Sequence, residues 1–187
     1  MASASKRKKI RHKVVEILKD AAIPGVGSDV FPGRSISHED KELPVINVFT
    51  RSEDVDRYME TPKTYKRNLQ VEIEIQTTHD TDPQLLDEMD ELSQAVEDVM
   101  ERGGDLYEMM VKEENCELIN DFELGSTLYD TEGAGSNPLG SARLVYNIEY
   151  YTNEERKVIP DNLKTIGNTW EANENKDGDA KDEIKFQ

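Results

Sequence analysis

The chain changes hydrophobic period as it runs, and each change marks an element. Ile10, Val14, Ile17, Leu18 and Ala21 recur at three- and four-residue steps, which predicts an amphipathic helix over Ser5–Ala22 stopped by Pro24-Gly25. Asp29–Arg34 reads as a short extended piece broken by Pro32-Gly33. Val45, Ile46, Val48 and Phe49 form a nearly continuous apolar run, the signature of a central strand over Leu43–Thr50, with Pro44 tolerated only at its start. Residues 51–68 are polar and irregular and read as a long loop. Leu69, Val71, Ile73 and Ile75 then alternate with Gln70, Glu72, Glu74 and Gln76, a half-buried strand within Asn68–His79 that turns an acidic face outward.

Asp82-Pro83 has the chemistry of a helix start, and Leu85, Met89, Leu92, Val96 and Val99 make one apolar stripe before Gly103-Gly104 ends it. Leu106–Val111 is a short apolar piece of no clear period, and Glu117–Leu128 reads weakly as a strand. The last strand of the domain carries Leu144, Tyr146, Ile148 and Tyr150 in alternation. Beyond Thr152 the chain is polar, with no apolar residue between Ala172 and Ala180. The elements predict an α+β fold: a single mixed, largely antiparallel sheet with two helices packed on one face. Residues 1–152 are expected to form that domain, with 1–9 as a candidate mobile basic arm, and 153–187 a polar, flexible tail.

Charge sharpens this picture. The formal net charge of the 187 residues is −17, yet Lys6, Arg7, Lys8, Lys9, Arg11 and Lys13 are crowded into the first helix before any acid appears. Cations at a helix N-terminus oppose the helix dipole, so something outside the helix must hold them. The acidic remainder disfavours non-specific attraction to nucleic acid or anionic lipid. No apolar run approaches the ~20 residues that cross a bilayer, so no membrane role is expected. Cys116 is the single cysteine, and a reducing compartment fits.

The candidate chemistry is thin. Gly133, Gly135 and Gly140 suggest a phosphate cradle, but a strand rather than a helix follows, and Ser141 stands where a P-loop needs lysine. His79, Asp80 and Asp82 could corner a metal, although turn and capping chemistry explains them better. Acid pairs are too common here to mark acid–base catalysis, and Cys116 lies between Asn115 and Glu117, without the basic surroundings that activate a thiol. The expectation is therefore no enzyme, no cofactor and no metal.

What remains is a layout: "IRHKVVEILKDA", "VFPGRSI", "LPVINVFT", "LQVEIEIQTT", "LDEMDELSQAVEDVM" and finally "NPLGSARLVYNIEYYT". Over about residues 8–152 it resembles the tail terminator proteins of long-tailed phages, the minor tail protein U type of lambda-like phages. The resemblance implies an α/β fold with a mixed sheet flanked by helices. It further implies a homo-oligomeric ring, typically a hexamer, that caps the major tail tube protein's polymer at the head-proximal end of the virion tail. Assembly would take place in the host cytoplasm. Such a ring stops tube growth, offers a surface to a head completion or connector protein, and lets DNA pass through its lumen without specific binding. A head–tail connector or head-completion protein is the alternative within the same class, and a host interaction module using its tail as a binding arm is a more distant one. Residues 153–187 extend past the family pattern.

A closed head-to-tail ring needs two different complementary patches. The sequence nominates the basic helix start (Lys8, Lys9, Arg11), the acidic strand face (Glu72, Glu74) and the polar stretch with Arg51, Arg57, Tyr58 and Lys63 as candidate subunit or tube contacts. It nominates the loop of Gly133, Gly135, Asn137 and Gly140 as one that settles on assembly.

Overall fold

The computed structural model describes residues 5–34, 43–102, 118–132, 138–153, 166–169 and 181–184. The body contains helix α1 (Lys6–Asp20), strands β1 (Val30–Phe31), β2 (Val45–Glu60) and β3 (Lys63–Thr78), helix α2 (Asp82–Arg102), and strands β4 (Asp121–Glu132) and β5 (Leu139–Asn153). The five strands form one sheet in the order β1-β2-β3-β5-β4. β1 pairs parallel with β2, and the other pairings are antiparallel. The fold is α+β with a mixed sheet.

One face of β3 and β5 supplies the centre of the core. Leu69, Val71, Ile73 and Ile75 lie opposite Ile148, Tyr146, Leu144 and Ala142, and all eight are buried. Alternation makes this possible, because residues two apart on a strand share a face. The same apolar cluster takes in Ile10, Val14 and Leu18 from α1 and Leu92, Val96 and Met100 from α2. In α2 the stripe shifts at its end: Met100 is fully buried, whereas Val99 is half-buried. The helix is also entered one residue earlier than Asp82 suggests, since the Thr81 carbonyl accepts from the Leu85 N–H at 3.0 Å.

α1 ends at Asp20, before Pro24-Gly25. Ala22 takes φ +48°, the left-handed conformation that closes many helices, and its N–H donates to the Lys19 carbonyl at 3.1 Å. Residues 6–9, nominated as part of an arm, form the first turns of α1. The cations there reach the sheet: Lys6 Nζ donates to the Tyr151 carbonyl at 2.9 Å and Arg11 Nη1 to Thr50 Oγ1 at 3.3 Å. These contacts offset the unfavourable dipole.

The largest departure from the sequence reading concerns residues 51–68, which form no loop. β2 runs on to Glu60, turns at Thr61-Pro62 and returns as β3 from Lys63, giving a long two-stranded hairpin arm. The physical reason is twofold. Residues 54–60 are exposed, so neither face carries an apolar alternation. The register also shifts between Thr50 and Ser52 and again between Arg57 and Met59, leaving Arg51 and Tyr58 as the extra residues of two bulges. A third shift, between Leu124 and Ser126, places Gly125 in a bulge of β4 and blurs that strand's pattern as well.

The chain folds as two compact units, residues 1–154 and 155–187. Within the second unit, expected to be flexible tail, β6 (Ile166–Thr169) and β7 (Lys181–Ile184) pair antiparallel. The Leu106–Val111 piece and Cys116 lie outside the described residues.

Candidate functional site

The hairpin arm gathers four of the nominated residues. At its base the Arg51 bulge aims a guanidinium across the strand: Nε donates to Glu72 Oε1 at 3.0 Å, and the group lies 4.4 Å from the Phe49 ring centroid. The Glu72 hydrogen bond raises the Arg51 pKa above its ordinary value. Two residues nominated for different patches are thus bound to one another within a single subunit. Glu74 lies two residues on, directly opposite Arg143 in the register.

Nearer the tip, Arg57 Nη2 is 3.5 Å from Glu60 Oε1, and Lys63 Nζ sits 5.7 Å over the Tyr65 ring. Tyr58, the extra residue of the second bulge, is 59% exposed, with its ring centroid 4.9 Å from that of Tyr151. Val55 and Met59 beside it are each 46% exposed. The arm therefore displays Val55, Tyr58 and Met59 among charges.

A polar node ties this arm to α1. The Glu53 side chain is only 9% exposed. It accepts from Arg67 Nη1 at 2.6 Å and from the Tyr150 hydroxyl, with Arg7 Nη1 at 3.8 Å. Arg67 Nε also donates to Thr152 Oγ1 at 2.8 Å. Burial, then the Glu53 carboxylate, pushes the Tyr150 phenol upward, so it stays a neutral donor. On the other face Glu149 takes bonds from Lys66, from Tyr151 Oη at 2.9 Å and from Asn120 Nδ2 at 2.9 Å. Lys66 first, with Tyr151 and Asn120 also contributing, holds the Glu149 carboxyl below its usual value.

The far end of the sheet presents a second feature. A groove there is lined by Glu74, Gln76, Asp130, Glu132, Leu139, Gly140, Ser141 and Arg143. Leu128 and Tyr129 are exposed on the adjoining β4, at 52% and 48%. Gly140 lies within β5, and its role is one of packing: a Cβ there would fall 2.5 Å from Met89 Sδ and 3.0 Å from Leu85 Cδ1 on α2. Gly133, Gly135 and Asn137 lie outside the described residues. Lys8 and Lys9 are exposed on α1, and Arg11 is half-buried.

Sequence reasoning missed Val55, Met59, Leu128, Tyr129, Leu139 and Glu53. A single apolar residue in a polar stretch carries no period. The one available signal was that large apolar side chains stand among acids on strands too polar for a core.

Among the described residues no group of three or more His, Cys, Asp or Glu could hold a metal ion, and no helix is long and apolar enough to cross a membrane. The close carboxylates are engaged in ion pairs and hydrogen bonds rather than converging on a cleft. No match to the chain was found among curated proteins. The family profile described as Phage minor tail protein U matches residues 5–150, α1 through most of β5. On that span, which is most of its length, the chain belongs to the phage minor tail protein U family, and its role is a structural one in the phage tail.

Proposed function

We propose that the protein is a tail terminator: its copies form a closed ring, typically of six, that seats on the finished tail tube at the head-proximal end. The ring ends polymerisation of the tube protein and presents a surface to the head completion or connector protein. The observation that carries this reading is the outstretched β2–β3 hairpin, which shows Val55, Tyr58 and Met59 to solvent among charged neighbours, with Leu128, Tyr129 and Leu139 exposed at the other end of the sheet. A structural tail protein needs adhesive surface, and exposed apolar side chains on a hydrogen-bonded hairpin supply it. The strong net negative charge suits a lumen through which DNA slides, since like charges do not bind.

The test mixes purified protein with tail tubes and images them by negative stain. Rings at one end of each tube, and tubes that no longer elongate when tube protein is added, are expected. Bare tube ends and continued growth would reject the terminator role.

A further inference from the structure

The arm tip and the groove stand at opposite ends of the same sheet. Thr64, at the tip end of β3, pairs with Asn153, while Thr78 pairs with Leu139 beside the groove. Fourteen residue steps along β3 separate them, roughly 45 Å at about 3.3 Å per residue. One end is convex and the other concave. The tip carries Tyr58 and Met59 with Arg57 and Lys63, and with Glu60, whose carboxylate lies 3.5 Å from Arg57. The groove carries Leu139 with three acids, Glu74, Asp130 and Glu132, against one cation, Arg143, which lies 3.5 Å from Asp130 Oδ2. Shape, apolar content and charge sign are complementary between the two ends, and an arm pointing away from its own groove leaves only another molecule to fill it.

We propose that the tip of the β2–β3 hairpin of one copy seats in the β4–β5 groove of a second copy of this chain. This inference rests on the ring reading and gives it a contact. The two surfaces differ, so the contact is head-to-tail, and each copy keeps one unused tip and one unused groove until a ring closes. Tyr58 and Met59 cover Leu139, while Arg57 and Lys63 meet the acidic rim. The charge term makes association salt-sensitive. Tyr58 is the extra residue of a bulge and leaves 59% of itself exposed beside the Tyr151 ring, so the adhesive residue is built into the backbone of the strand rather than grafted on a loop.

The test uses two variants of the full chain: a tip variant, Tyr58→Ala with Lys63→Glu, and a groove variant, Leu139→Ser with Glu132→Lys. Urea midpoints close to wild type establish that both fold. The milder pair Tyr58→Ala and Leu139→Ala, each alone, replaces any that does not. Sedimentation velocity over rising concentration should show wild type associating and each variant at least about tenfold weaker. An equimolar mixture of the two should give dimers and nothing larger, because only one intact tip and one intact groove survive. Variants that assemble like wild type, a mixture that fails to pair, or a wild type monomeric throughout would each overturn the contact. Tube capping is scored separately. Capping with unaffected self-association by both variants sinks this contact and spares the terminator role, whereas tip–groove pairing without capping does the reverse.

Discussion

Arg67 Nη1 lies 2.6 Å from Glu53 Oε2 across the β2–β3 pair, at the point where the hairpin arm leaves the body. Because Glu53 is nearly buried and also accepts from Tyr150, its charge depends on both partners. Removing one leaves a desolvated carboxylate incompletely paired. Arg67→Ala should therefore cost about 2–4 kcal/mol, and Tyr150→Phe about 1–2 kcal/mol. The two losses should fall short of additive in a double-mutant cycle followed by urea unfolding. Full additivity would mean that the node does not act as a unit.

Acid should loosen the outer face of the same region. Glu149 is held below its ordinary carboxylate value by Lys66, Tyr151 and Asn120. A group whose folded pKa is depressed contributes stability above its unfolded value and loses it as pH falls through the folded one. Urea midpoints of wild type and Glu149→Gln should differ at pH 7 and converge as pH falls below the ordinary carboxylate range, about 4. A gap that stays constant down to pH 3 would contradict the assignment.

Any side chain at Gly140 should cost stability, in proportion to its size. Alanine there presses on Met89 Sδ, a flexible atom that can give way, and touches Leu85 Cδ1 at 3.0 Å, and the larger branches of valine press further on both. The expected losses are about 1 kcal/mol for Gly140→Ala and about 3 kcal/mol for Gly140→Val. Calorimetry that finds the two equal would show that α2 does not pack closely over this residue.

At the end of α1 the opposite change should help. Ala22 sits at φ +48°, where glycine suffers no Cβ clash. Ala22→Gly is expected to raise stability by about 0.5–1 kcal/mol despite glycine's freer unfolded chain. A lowered melting temperature would mean that the helix ends differently in solution.

Legibility followed burial. α1, β3, α2 and β5 each bury one stripe or one face, so their periods show in the sequence. The arm has no such face, and the extra residues Arg51 and Tyr58 break what alternation it has, so residues 51–68 looked like a loop. β4, an edge strand with Phe122 and Leu124 only half-buried and a bulge at Gly125, left a weak trace for the same reason. Arg57, Tyr58 and Lys63 were nominated together, and they do share the arm. The Arg51–Glu72 pair was invisible because the bulge that aims Arg51 depends on strand register. The groove was invisible because its residues come from three strands that meet only in space.

The position of β5 has a consequence for how the protein is made. It is the last strand of the body to be synthesised, yet it lies between β3 and β4, both of which precede it. Those two strands share no hydrogen-bonded ladder, and β4 has no sheet partner until β5 pairs with both. A nascent chain thus keeps an unfilled slot in its sheet until about residue 153 has left the ribosome. Prematurely terminated chains should be cleared as unfolded material rather than enter assembly as defective parts, so only complete subunits compete for a place.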